Sequence, residues 1–444
     1  MKKQRESFKS QWGFILACIG SSVGMGNIWM FSTRVSSYGG GSFLIPYFIF
    51  VALVGFTGVI GEMSFGRATR SGPVDAFGIA CERKGKRKYG EALGMIPVLG
   101  AMAMAIGYTV VMGWILKYAV GTFTGKTLAP KGVEEFSGAF GSMASAFGNN
   151  GWQIAALILC MGILMLGVVS GIEKANKFMM PLFFGLFVIL AVYVAFQPGA
   201  AEGYKYIFRI DPKALADPVT WIFALGQAFF SLSVAGNGTL IYGSYLSDEE
   251  NIPAAAARVA FFDTLAAILA ALVIIPAMAV VLGEGIRDVS GGPGLMFVYL
   301  VNVFNAMPAG RIIGAIFYIC VLFAGVSSIV NLYEAPIAFL QEQFKFKRAA
   351  AVGTIGVIGL VVSIAIQPWT SQWMDVVSIY ICPLGAALAG VMFFWVLGKE
   401  KAIAAVNEGA KKPIGGWFFP LGKWVYVICA VLALILGVMY GGIG

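Results

Sequence analysis

The chain has 444 residues, 59% of them hydrophobic and only 12% charged, with a mean hydropathy of +0.83. Those figures exclude a soluble domain and point to a polytopic membrane protein, whose long continuous apolar runs favour helices over an alternating barrel pattern. The net charge of +9 is no nucleic-acid signal, because the basic residues sit in loops at one side, and the lack of any histidine removes the commonest metal ligand and proton relay.

Residues 1–11 are basic and read as a cytoplasmic N-terminal segment. No cleavable signal is expected, since the following apolar stretch is too long for a signal core and leads straight on. Eleven transmembrane helices are expected, at about 12–36, 42–70, 89–122, 152–171, 177–197, 218–245, 254–283, 309–342, 348–367, 372–397 and 419–441. Spans one to five occupy 12–197 and spans six to ten 218–397, with an extracellular loop at 198–217 between them. A cytoplasmic loop at 398–418 leads to the last helix in 419–444. Most Lys and Arg residues, including the run from Arg83 to Lys88, then share a side with the N-terminus. The positive-inside rule places that side in the cytoplasm and, with an odd span count, the C-terminus outside. The outer segment 284–308 carries Gly291-Gly292-Pro293 and is expected to fold back toward the membrane. The six cysteines lack ligand spacing and read as packing residues.

Span one is interrupted at 20–27, where Gly20, Gly24 and Gly26 each lower helix propensity by roughly 1 kcal/mol relative to alanine. Backbone groups released at mid-membrane depth are tolerated only where they line a cavity. A half-helix N-terminus there suits an anion, and unwound carbonyls suit a cation. Gly20 and Gly24 also fit a close-packing face of small residues. Asn27 favours the break, because a buried amide needs partners. Span two carries Glu62, with Arg67 as a candidate ion-pair partner; span three carries Tyr108, a site hydroxyl or an ordinary packing residue.

Between Gly171 and Pro181, at the inner end of span five, the backbone should unwind cheaply, because Gly permits irregular dihedrals and Pro removes one i→i−4 bond. That hinge would admit water to Ser327 and Ser328; the bland alternative is a plain loop-to-helix junction. Span six has a second small-and-polar interruption at 226–239. Span seven carries Asp263, an intramembrane carboxylate that costs ~2.5–3.5 kcal/mol on insertion scales and is a functional candidate by default. Span eight holds Ala324, Ser327, Ser328 and Asn331; serines in such helices also commonly bond back to carbonyls one turn earlier. Interrupted spans in corresponding positions of two halves point to an inverted-repeat transporter with a midplane site.

Four stretches carry a family resemblance: Gly24-Met25-Gly26-Asn27-Ile28-Trp29, the run from Tyr38 to Tyr47, Gln227-Ala228-Phe229-Phe230-Ser231-Leu232-Ser233, and Phe323-Ala324-Gly325-Val326-Ser327-Ser328. From Arg5 to about Pro383 the chain resembles the neurotransmitter:sodium symporters. The resemblance implies an all-α polytopic membrane protein with the 5+5 inverted-repeat, leucine-transporter-like fold, helices one and six unwound, and one extra C-terminal helix. It implies a bacterial inner (plasma) membrane, with the lipid bilayer as surroundings.

The resemblance further implies two sodium ions. The first would be held by the Ser22 carbonyl, Asn27, Ser231, Asp263 and the substrate carboxylate. The second would take the carbonyls of Gly20, Val23 and Ala324 with the hydroxyls of Ser327 and Ser328. The substrate carboxylate would meet the Met25 and Gly26 N–H groups, beside Ser22 and Gly24, and the Tyr108 hydroxyl. Its side chain would lie among Met104, Phe230, Ser233, Gly236, Ser328 and Leu332, and Ser231 would also belong to the substrate site. Phe230 and Tyr108 resemble the outer lid; Arg5, Tyr245 and Glu342 resemble the inner gate, and Asp375 could supply the acid of an outer one. The chain departs from the family pattern at Met30, usually Arg; Ser32, usually Pro; Asp263, usually Asn; and Phe8, usually Trp. A twelfth span is absent.

The expected function is sodium-coupled import of hydrophobic and aromatic L-amino acids by alternating access. An ionised Asp263 would stand in for chloride, and Gly236 would leave room for an indole or phenol ring. A proton-coupled amino acid transporter or exchanger of the same fold is the alternative; the missing histidine and the paired serines argue against it. No nucleophile–base pair, metal-ligand cluster or phosphate loop suggests an enzyme. A homodimer is left open as a partner.

Overall fold

The computed structural model describes residues 6–82, 84–234, 237–282 and 292–443, and every regular element among them is helical. Among the described residues eight helices are long and apolar enough to cross a membrane, or nine when a bent pair is taken as one span. That pair is span one: Gln11–Ser22 and Gly26–Ser37 meet at 60°. Ser10 starts the first half by accepting the Gly13 N–H on its hydroxyl at 3.1 Å. The helix stops because the Gly24 N–H turns to the Asn27 side-chain oxygen, 3.1 Å away. The second half opens with a wide π turn over Gly26–Met30.

Span six is also in two pieces, Pro218–Ser231 and Gly238–Gly243. Between them Ser233 and Asn237 take left-handed dihedrals, with φ of 55° and 52°, which stop a helix. Span four is an apolar helix of 16 residues, Asn150–Met165. Spans four and six are thus the two of the expected eleven that fall outside the nine. Most of the others follow the sequence reading within a few residues, for instance Gly41–Thr69, Gly310–Gln343 and Phe418–Tyr440, but span five, Val168–Ala195, begins nine residues before the expected 177. In their most apolar windows spans three and eight are 78% and 72% buried, against 33% and 28% for spans five and nine. The former two make the core; the latter two present their apolar faces outward.

Of the segment after span seven, expected to fold back toward the membrane, residues 284–291, with Gly291, lie outside the described residues. Its described part holds a short apolar helix, Leu295–Ala306. It is pinned by the hydroxyls of Tyr118 and Tyr318, which donate to the carbonyls of Phe297 (3.1 Å) and Met296 (2.6 Å).

Candidate functional site

The two breaks face each other, and the atoms they release are what the site is made from. On one side lies Asp263, wholly buried in span seven. One of its carboxylate oxygens accepts from Asn27 Nδ2 at 2.7 Å, the other from Ser231 Oγ at 2.6 Å. Asn27 Nδ2 also lies 2.9 Å from Ser231 Oγ and 3.3 Å from the Asp263 carbonyl. Among the described residues Asp263 forms no ion pair. A buried carboxylate held only by neutral groups carries a desolvation cost that a nearby cation would offset. Asn27, Ser231 and Asp263 are therefore brought together, while the Ser22 carbonyl lies 3.8 Å from where a Cβ on Gly24 would fall.

The second cluster lies where span one meets span eight. Ser327 does bond back, to the carbonyls of Phe323 (2.9 Å) and Ala324 (3.0 Å). Ser328 does not: its hydroxyl reaches across to the Val23 carbonyl at 3.4 Å. A methyl group on Gly20 would lie 2.9 Å from Cβ of Ser327, and one on Gly24 would lie 2.8 Å from Ser328 Oγ. Both glycines are thus needed for close approach, and the break and the packing face are the same feature. Gly20, Val23, Ala324, Ser327 and Ser328 form one oxygen-rich patch.

Between the clusters is a cavity of about 50 Å³, room for a few waters on the scale where one needs ~10–15 Å³. Ser22, Gly24, Gly26, Asn27, Met104, Tyr108, Phe230, Ser233, Ser328 and Leu332 all line it. Ser231 does not; it sits behind, on Asp263. The Phe230 ring closes over Gly26, where a Cβ would come 2.5 Å from Cε1. Ser21, Asn331 and Cys382 line the same cavity and do not follow from the family resemblance. Ser233 Oγ donates to the Ser21 carbonyl at 2.7 Å, and Asn331 Nδ2 to the Gly238 carbonyl at 3.3 Å. One end of the cavity is therefore polar.

The model of the sodium:neurotransmitter symporter family matches residues 5–135 and 133–440. The chain belongs to that family. This symporter-family chain is similar to an uncharacterized sodium-dependent transporter of Methanocaldococcus jannaschii, with 30% identity over 98% of this chain and 89% of the relative. It is similar as well to one of Bacillus subtilis, with 29% identity over 97% and 96% of the two chains. The crystal structure of MhsT in complex with L-phenylalanine superposes with a TM-score of 0.85 at 32% identity, covering 97% of this chain and 99% of that one. The fold is thus that of this transporter family. The symporter is a multi-pass membrane protein and not an enzyme.

A set of contacts only partly anticipated joins spans six, eight and nine of the symporter. Tyr245 belongs to it, donating its hydroxyl to Glu334 at 2.6 Å. Glu334, wholly buried in span eight, is gripped by Arg348 through both oxygens at 3.0 and 2.9 Å. As a carboxylate inside a span, Glu334 carried the same signal as Asp263; its partner 14 residues on marks the pair. Glu342 accepts the Gly72 N–H at 2.9 Å, and Arg5, like Gly236, lies outside the described residues. The N-terminal segment is tied down through Glu173, which accepts from the Lys9 N–H (2.7 Å), Ser10 Oγ (2.9 Å) and Lys177 (2.6 Å). Glu173 ends the π turn Val168–Glu173, which holds Gly171, while Pro181 lies in the helix Lys174–Ala195. The hinge stretch is thus irregular at its start and helical after it.

Two side chains fall elsewhere than the sequence suggested. Glu62 accepts from Thr239 Oγ1 at 2.5 Å and does not pair with Arg67. Arg67 instead donates to the carbonyls of Glu250, Ala405 and Glu408. Asp375, the candidate acid of an outer gate, is exposed and in no ion pair among the described residues.

Proposed function

We propose that this symporter imports hydrophobic and aromatic L-amino acids with two sodium ions, independently of chloride, by alternating access. The observation that carries the reading is Asp263: a fully buried carboxylate, hydrogen-bonded among the described residues to Asn27 and Ser231 and to no cation, beside a cavity lined by the broken first span. Its charge would balance a cation and remove the need for an anion. The patch from Gly20 to Ser328 offers hard oxygen donors for a second ion. The likeness to a structure that holds L-phenylalanine supports an amino acid substrate. Its carboxylate would meet the Met25 and Gly26 N–H groups, and its side chain would lie among Met104, Phe230 and Leu332. The chain would sit in a bacterial inner membrane with the N-terminus inside and the C-terminus, after an eleventh span, outside.

Uptake of labelled phenylalanine into proteoliposomes tests this. Choline in place of sodium should abolish uptake, and gluconate in place of chloride should leave it unchanged. Asp263→Asn should lose uptake or make it chloride-dependent. Full uptake in choline, driven by a proton gradient, would overturn sodium coupling and favour the proton-coupled alternative. Chloride-stimulated uptake by the wild type would overturn the role of Asp263.

A further inference from the structure

Asn176 stands in span five, within the helix Lys174–Ala195, and is 1% exposed. Its Nδ2 donates to the Ile172 carbonyl at 2.9 Å. Because a carbonyl accepts only from a donor, that bond fixes which end of the amide is nitrogen. The oxygen therefore points the other way. It is buried and has no hydrogen-bond partner among the described residues, an arrangement that native interiors rarely keep without a reason.

Where that oxygen points supplies the reason. A methyl built on Gly20 would fall onto Asn176 Oδ1, and the same position lies 2.9 Å from Cβ of Ser327. Three helices thus converge at one spot: span one through Gly20, span eight through Ser327, and span five through Asn176. The first two already supply the oxygen-rich patch. The third adds an amide oxygen, a neutral hard donor of the same kind as the backbone carbonyls.

Resting on the reading of that patch as a sodium site, we propose that Asn176 Oδ1 is a ligand of the cation bound by Gly20, Val23, Ala324, Ser327 and Ser328. It is a contribution from span five, which the family resemblance does not place in either ion site. The consequence is a mechanical link. Asn176 lies between Gly171 and Pro181, one turn from the Glu173 contacts that hold the N-terminal segment. While the ion is bound, its bond to Asn176 holds this turn helical. Unwinding the turn withdraws a ligand from the ion as it opens the way to it, so release and opening become one event.

The full-length protein in detergent, without amino acid, is titrated with sodium chloride against choline chloride at constant ionic strength. Thermal stability and amide exchange over residues 168–180 are followed together. Wild type should be stabilised by sodium and show slower exchange over that stretch. Asn176→Ala should raise the half-saturating sodium concentration at least tenfold and lose the protection of 168–180. Asn176→Asp, which keeps an oxygen and adds a charge, should bind sodium at least as well as wild type. Asn176→Leu, which fills the space without an oxygen, should behave like alanine and carries the test if alanine does not fold. Wild-type sodium dependence in the alanine and leucine variants would overturn the proposal and leave Asn176 a structural amide. A wild type indifferent to sodium would instead overturn the site itself.

Discussion

Replacing Glu334 by glutamine should open the cytoplasmic side. The side chain keeps its size but loses the charge that meets Arg348 through two bonds of 3.0 and 2.9 Å. Glu334 is wholly buried and the Arg348 side chain is 15% exposed, so the variant leaves a largely desolvated cation without its partner. Breaking a buried pair costs ~3–5 kcal/mol, and the partial exposure of Arg348 argues for the lower end. These contacts join span eight to Tyr245, next to the broken sixth span, and to the start of span nine. The loss therefore falls on the closed form and far less on one in which those elements have parted. At ~1.4 kcal/mol per factor of ten, ~3 kcal/mol shifts the balance about 100-fold toward the open form.

Cys18 can report this shift. It is wholly buried in the first half of span one, one turn before Ser22, whose hydroxyl donates to its carbonyl at 3.1 Å. With the other five cysteines replaced by alanine, alkylation of Cys18 by a membrane-impermeant maleimide applied from the cytoplasmic face should accelerate on the order of 100-fold in Glu334→Gln. Tyr245→Phe, which removes the 2.6 Å bond to Glu334 and leaves the Arg348 pair in place, should accelerate it several-fold. Sodium should slow labelling in both. An alkylation rate unchanged by either substitution would refute the reasoning and make the pair an ordinary packing contact.

Gly26→Ala should weaken substrate binding about tenfold, a cost within the ~1–3 kcal/mol typical of overpacking, because the new methyl would sit 2.5 Å from Phe230 Cε1 and displace the ring. Equilibrium binding measures this, and Phe230→Leu in the same chain should restore part of the loss; unaltered affinity in Gly26→Ala would show that the ring does not close over the substrate. Asn331→Leu removes the amide from the polar end of the cavity and should shift the preference toward phenylalanine over tyrosine by about tenfold, the scale of ~1–3 kcal/mol for an unpaired buried polar group. Competition between the two amino acids checks it, and an unchanged ratio would remove Asn331 from the recognition surface.

The sequence by itself determined the class of the molecule and the position of its first break. Apolar runs long enough to span a bilayer are a local property, and so is the conformational cost of Gly20, Gly24 and Gly26, whichever elements end up beside them. Asp263 could be read as functional on the same ground, since an intramembrane carboxylate is costly wherever it falls. The ligand groupings came from resemblance rather than from spacing, because Asn27, Ser231 and Asp263 are too far apart in the chain for their meeting to be read locally. What only the tertiary structure decided is which faces meet. Ser327 and Ser328 are adjacent, yet one bonds back within its helix and the other crosses to Val23. Glu62 was within reach of Arg67 along one helix, yet it turned to Thr239 while Arg67 took three carbonyls. Arg348 finds Glu334, and the Asn176 oxygen finds Gly20, for the same reason. Helical periodicity says which side chains share a face, but the rotation and depth of each helix against its neighbours are set by packing summed over the whole bundle.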